Sequence, residues 1–417
     1  MNRVILIGNG FDLAHGLKTS YEDFINWYWE QWGKKLRSSS NKIETDPFCS
    51  FVLKEDVGLG GWYLVWPYYY KCSLKSCTDR ELIDLAINDN QVCEYSVTSV
   101  FFSKICNAIN SKGWVDIEKE YYDLLLEVVL RPENCNFTVQ ELNNHLNYIQ
   151  KLLFKYLSMV SYKDITCNSE IQKIIVGKIN KDDISISNQH VFNDYVAYLI
   201  QHDDAYAQLL YRYGIDGANR HFMTEDIKRL KKQIAESSEI EEIYLRDLII
   251  PENILLLNFN YTELADKYGQ LNSITINHIH GDLSQSNNII FGYGDELDED
   301  YKDLLKQSDN ECLRNIKSIK YLESSNYRNM LKFIESGPYQ IYIMGHSCGK
   351  SDRTMLNTLF EHKHCVSIKP YYYRKSDGSD NYIEIVQSIC RNFTDMKLMR
   401  DRIVNKTLCE PLPQISK

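Results

Sequence analysis

Residues 3–7 (RVILI) form a short apolar run, rich in β-branched side chains, that ends directly in Gly8-Asn9-Gly10. Such a run reads as a buried strand delivering a tight turn. Few folds begin this way, because a buried strand needs neighbours on both sides, and this chain offers none for a long way. Thr19 with Glu22 makes a capping box ahead of Tyr21, Phe24, Ile25, Tyr28 and Trp32, so a helix is predicted over 20–36. Helical patterns then dominate to about residue 250. They are placed at 93–110, at 115–130, after the Thr138/Glu141 capping box with Leu142, Leu146, Ile149 and Leu153 on one face, at 190–213 and at 225–247. Residues 37–60 and 162–188 are polar and carry no clear period.

Strand signals return after Pro251, at 254–258, 274–279, 288–292, 340–344, 365–369 and 382–386, with helical segments near 262–270, 310–335, 352–362 and 386–398. This alternation belongs to a mostly parallel α/β sheet. The economical architecture is one discontinuous α/β domain (1–36 and 251–417) interrupted by a large helical insertion (37–250). A length of 417 residues fits that division without a third unit. No apolar stretch approaches the ~18 residues a bilayer requires, and MNRVILIGNG lacks the cleavage pattern of a signal peptide, so a cytoplasmic protein with no membrane partner is expected. The net charge of −10 argues against broad nucleic-acid coating, and the basic run Lys228, Arg229, Lys231 and Lys232 reads as the solvated face of a charged helix. Twelve cysteines without a Cys-x-x-Cys read as reduced core residues, and no metal site is predicted.

Four loops carry chemistry, each directly after a strand. Gly8-Asn9-Gly10-Phe11-Asp12 is a glycine turn opening a helix, where backbone amides can approach a phosphate. It is an incomplete dinucleotide fingerprint, with Leu13 where a third glycine belongs. Gly345-His346-Ser347-Cys348-Gly349 matches a nucleophile elbow, but the downstream acid and histidine of a serine hydrolase have no room to follow, and the segment is one residue short of a phosphate-binding P-loop. Asn258-Phe259-Asn260-Tyr261-Thr262 and His278-Ile279-His280-Gly281-Asp282 place further polar groups at strand ends, where open α/β sheets bind ligands.

The strings ILIGNGFDLAHGLKTSYEDF, NFNYT, IHGDL with IIFGYG, and GHSCGKSD together resemble the AbiH family of bacterial phage abortive-infection proteins over nearly the whole chain. That family in turn resembles the sirtuin-like NAD-binding superfamily. The resemblance implies a Rossmann-like sheet with NAD or a related nucleotide as substrate or ligand. Gly8 and Gly10, with Asn9, Phe11 and Asp12, would lie at the diphosphate and ribose, Asn260 at the nicotinamide ribose, and His280 would be the catalytic histidine. Gly345 and Ser347 would form the Gly-x-Ser loop. Thr262 stands where the nicotinamide-contacting acid would be, and the zinc cysteines of true sirtuins are missing, which argues against deacetylation. Trp114-Val-Asp116-Ile-Glu118 is a further feature similar to the family, otherwise readable as a helix opening that exposes a surface acid.

The leading expectation is therefore a phage-defence protein that hydrolyses the bond between nicotinamide and ribose, with Asn260 positioning the sugar or water and His280 as general base. The alternatives are a nucleotide-binding sensor that engages a phage-derived trigger or a second copy of the chain, and a metal-dependent nuclease using Asp116 and Glu118.

Overall fold

The computed structural model describes residues 1–39, 41–53, 77–88, 93–112, 115–160, 162, 164–202, 208–209, 212, 249–270, 273–284 and 289–415. The expected helix at 225–247, with its basic run, lies outside the described residues, as does Trp114.

Five parallel strands form the main sheet: β1 (Asn2–Ile7), β5 (Ile254–Asn258), β6 (Ile274–His278), β7 (Tyr339–Met344) and β8 (Cys365–Tyr371), in the order β6-β5-β1-β7-β8. The N-terminal strand is thus the central one. It pairs with β5 (Val4↔Leu255) on one side and β7 (Val4↔Ile341) on the other. The winding runs outward from β1 through β5 and β6, then returns across β1 to β7 and β8, which is the doubly wound arrangement. Its topological switch point falls between β1 and β7.

Alternate residues of each strand serve opposite faces. Val4, Leu6, Leu255, Leu257, Ile341 and Ile343 pack under the helices Asn326–Glu335, Arg353–Glu361 and Tyr382–Cys390. Ile5, Ile7, Leu256, Tyr342 and Met344 pack against the short helix Asn9–Ala14, the helix Ser169–Val176 and the turn Leu264–Tyr268. The helix Ser169–Val176, in sequence part of the stretch between the two halves of the sheet, therefore covers the sheet directly. A second large core gathers the helices Tyr21–Ser38, Val100–Lys112, Ile117–Leu130 and Val139–Met159 around Trp32, Phe48, Phe102, Tyr121 and Leu146. The loop after β6 enters the same core through Phe291, Tyr293 and Ile316, with Tyr293 stacked on Tyr122 at 3.9 Å.

Several boundaries differ from the sequence reading. The insertion is not all-helical: β2 (Ile43–Thr45), β3 (Cys49–Leu53) and β4 (Cys93–Val97) form an antiparallel sheet, so the helix expected from residue 93 begins at Val100. The helix expected at 20–36 is capped by Ser20 with Asp23, not by Thr19 with Glu22. Residues 382–386, expected as a strand, open a helix, because Tyr382, Ile385 and Ile389 recur at helical spacing and bury one face. The described part of the run at 288–292 is no strand. Ile289 and Phe291 fill the insertion core while Ile290 turns to the sheet core, and Gly292 sits at φ +155° with its N–H bonded to Glu118. Among the described residues every cysteine is free, and no helix is long and apolar enough to cross a membrane.

Candidate functional site

All five strands run the same way, so the loops after β1, β5, β6 and β7 emerge on one edge. At the switch point the glycines have a clear purpose. A Cβ on Gly8 would lie 2.5 Å from His346 Cα, and one on Gly10 would lie 2.7 Å from Gly345 Cα. Gly345 itself has φ +75°, and a Cβ there would stand 2.1 Å from the Phe11 nitrogen. These residues let two loops meet backbone to backbone. The N–H of Gly8 donates to the Met344 carbonyl (3.2 Å), that of Gly10 to Gly345 (2.9 Å) and that of Phe11 to Gly8 (2.8 Å). Asn9 is exposed, with its Oδ1 accepting from Thr19 Oγ1, and Ser347 is exposed in the facing loop. The Phe11 ring turns the other way, into the sheet core against His15 and Tyr268.

Beneath this junction Asp12 is buried. It accepts from Thr262 Oγ1 at 2.6 Å and from Asn260 Nδ2 at 2.9 Å, and Asn260 Nδ2 also donates to the Gly8 carbonyl at 3.0 Å. Both amide hydrogens of Asn260 are thereby committed, which leaves Oδ1 as its atom for a ligand. Thr262, the residue that departs from the sirtuin pattern, serves as the donor that holds Asp12. Burial pushes the Asp12 carboxyl up to about 7, against the two hydrogen bonds. A carboxyl with a raised folded-state pKa stabilises the fold most below its unfolded value near 4, and that contribution disappears as pH rises through about 7. Asp12→Asn keeps the shape and is expected to lack this decline. Between pH 4 and pH 8 the wild type should lose roughly 3 kcal/mol relative to the variant in urea unfolding. Parallel stability curves for the two proteins would contradict it.

Next to Asp12 and Asn260 lies a denser network. His280, after β6, is buried, with Nε2 3.1 Å from the Tyr321 hydroxyl and 3.2 Å from Asp352 Oδ1. Asp352, in the loop after β7, also takes a hydrogen bond from Lys317 Nζ at 2.8 Å, and its second oxygen lies 3.7 Å from His346 Nε2. The Cys348 N–H donates to His346 Nδ1, so the remaining imidazole proton faces Asp352. The fully buried Lys317 bridges Asp352 and Glu118 (2.7 Å), while Glu118 Oε1 accepts from the Gly292 N–H at 3.0 Å. Phe259 packs between the two histidine rings, at 5.2 Å from His280 and 4.1 Å from His346.

The electrostatics follow from burial and this one cation. Burial lowers both histidines, His346 to about 4, and the Lys317 ammonium adds to the effect on each. Burial alone would raise Asp352, but Lys317 and His280 hold it well below the usual carboxylate range. Glu118 is raised by burial and by the charges of Asp352 and Asp116, against Lys317. Tyr21 and Tyr261 keep partial exposure, yet burial and then Glu118 raise their phenols far above the ordinary value.

The sequence-predicted residues Asp12, Asn260 and His280 thus converge, and the four strand-end loops meet as expected. Glu118 corrects the reading of a surface acid: it is buried and enters the network from the insertion. Asp352 and His346 lie within the GHSCGKSD string but carry no signal as ligands of each other, and Lys317, which opens the short helix Lys317–Lys320, belongs to no motif. Among the described residues no group of three or more His, Cys, Asp or Glu side chains is arranged to hold a metal ion.

Fold and site define a doubly wound α/β protein whose switch-point crevice is lined by a buried acid–base network. The family model for bacteriophage abortive infection AbiH matches residues 4–373, from β1 through β8. The chain belongs to the AbiH family, and it is an abortive-infection protein of phage defence. Neither the comparison with curated proteins nor that with solved structures returns a match.

Proposed function

We propose that the crevice binds NAD or a closely related nucleotide and hydrolyses the bond between nicotinamide and ribose. The observation that carries this reading is the convergence, at the switch point of a doubly wound sheet, of Asp12, Asn260, His280 and Asp352 from the loops after β1, β5, β6 and β7. Ligands of such sheets bind at that point. The likeness of the glycine turn, the Asn260 loop and His280-Gly281 to sirtuin motifs supports a nucleotide as the ligand. Nicotinamide leaves as a neutral molecule from a cationic ring, so the protein need only orient the sugar and accept one proton. In this reading Asn260 Oδ1 faces the sugar, Asp12 and Thr262 fix Asn260, and the His280–Asp352 pair takes the proton of the attacking water.

Purified chain incubated with NAD is expected to release nicotinamide, and Asn260→Ala and His280→Ala should each lower turnover about 100-fold or more. Unchanged turnover in both variants contradicts the assignment. One observation favours a second reading, a nucleotide sensor without turnover: the Gly8 and Gly10 amides and His280 Nε2 all face partners within the chain. Tight binding by calorimetry with no nicotinamide released supports that reading.

A further inference from the structure

The Asp116 carboxylate comes from the insertion and meets the loop after β7 where that loop has no side chain. As the N-cap of the helix Ile117–Leu130, Asp116 accepts the Lys119 N–H on Oδ1. Its Oδ2 points at Gly349: a Cβ built there would lie 3.3 Å from Asp116 Oδ2, 3.6 Å from Ser347 Oγ and 3.8 Å from Ser351 Oγ. A carboxylate oxygen and two hydroxyls therefore surround a position that glycine leaves unfilled. None of these three atoms has a hydrogen-bond partner among the described residues. Asp116 is half-buried, Ser351 is buried and Ser347 is exposed, so the niche is open to solvent on the Ser347 side.

Chemistry narrows what this niche accepts. A carboxylate is an acceptor only, while each serine hydroxyl both donates and accepts. The Asp116 carboxylate itself would repel a phosphate, and Lys317 and Lys119 are already engaged, the first with Glu118 and Asp352 and the second with Asp123. Two alcohols and one carboxylate suit a ligand that brings its own O–H donors, with charge-assisted bonds to the carboxylate.

We infer that Asp116, Ser347 and Ser351 form a subsite for a vicinal diol, the two hydroxyls of a ribose. The inference rests on the nucleotide reading of the crevice and gives the insertion a share in ligand recognition. The sugar is held from the insertion side, and the Asn260 side carries the reacting bond.

The test is calorimetric binding to the full chain. The ligands are NAD, NAD analogues lacking the 2′-hydroxyl of one or the other ribose, and ribose 5-phosphate. The proteins are wild type, Ser351→Ala and Asp116→Asn, the last retaining an oxygen to cap the helix. Asp116→Asn is expected to weaken NAD binding roughly 10- to 100-fold. Wild type should bind one deoxy analogue more weakly than NAD, and Asp116→Asn should bind the two alike. Ser351→Ala should fall between. Equal NAD affinity in Asp116→Asn and wild type, with the same discrimination against the deoxy analogues, overturns the diol subsite. Wild type that binds ribose 5-phosphate in an Asp116-dependent way but not NAD overturns the nucleotide reading and leaves the subsite standing. Failure of wild type to bind either ligand overturns both.

Discussion

Exchange of Arg3 for methionine is expected to cost about 3–5 kcal/mol of folding free energy, read as a lower urea midpoint at unchanged slope. Arg3 opens the central strand and is fully buried. Its guanidinium donates to the carbonyls of Ile174 (3.2 Å), Ile175 (2.8 Å), Gly177 (2.8 Å) and Lys178 (3.0 Å), and lies 4.3 Å from the Tyr342 ring centroid. The first two carbonyls lie in the last turn of the helix Ser169–Val176, where the backbone partial charge is negative, and the other two in the turn that follows it. One buried side chain therefore gathers the end of a helix and the turn after it and ties them to the sheet. Methionine fills much of the volume but leaves the buried Ile175 carbonyl without its donor and removes one partner each from Ile174, Gly177 and Lys178. Arg3→Lys should recover only a small part, because an ammonium on a flexible stem cannot span the same fork. A loss below about 1 kcal/mol in Arg3→Met would mean that the helix end finds other partners.

Arg3 also marks the limit of what the residue pattern reveals. The run RVILI declares a buried strand, yet nothing in it says that its arginine turns inward to a helix some 170 positions later. Gly8, Gly10 and Gly345 declare tight turns. That they are tight because two loops press on each other follows only from the strand order, which sets β1 beside β7. Asp12, Asn260 and His280 were legible because each is a polar residue that follows a strand within a few positions. Lys317 was not, because its surroundings in sequence are polar and its burial is created by Glu118 and Asp352 arriving from distant segments. Short apolar runs misled in both directions: YIEIV at 382–386 is helical, and CEYSV at 93–97 is a strand. Five residues do not distinguish a period of 2 from one of 3.6 when apolar residues fill most positions.

Lys317→Met is expected to be about as costly as loss of Arg3, and its pH dependence tells the two apart. In the wild type one buried ammonium faces two carboxylates, Glu118 at 2.7 Å and Asp352 at 2.8 Å. Removing it strands the Asp352 charge and pushes the already raised Glu118 carboxyl further up, which costs about 3–5 kcal/mol near neutral pH. Asp352 is held below its ordinary range when Lys317 is present, so its stabilising contribution exists above about pH 4 and is lost as pH falls. Without Lys317 the two carboxyls take up protons at higher pH, so the variant's deficit should shrink steadily from pH 7 toward pH 4. Arg3→Met, which touches no carboxylate directly, should keep its deficit across the same range. Glu118→Gln combined with Lys317→Met should recover at least about 1 kcal/mol over Lys317→Met alone, since the buried acid beside Asp352 that has lost its cation is gone. A deficit in Lys317→Met that does not change with pH, or strict additivity with Glu118→Gln, would mean that Lys317 acts by packing alone. The charge balance also reaches the crevice. Asp352 Oδ1 is shared between Lys317 and His280, so Lys317→Met leaves that oxygen to His280 and removes a repelling cation, which should raise the histidine's pKa, an effect readable by NMR titration of the imidazole even in protein that turns nothing over.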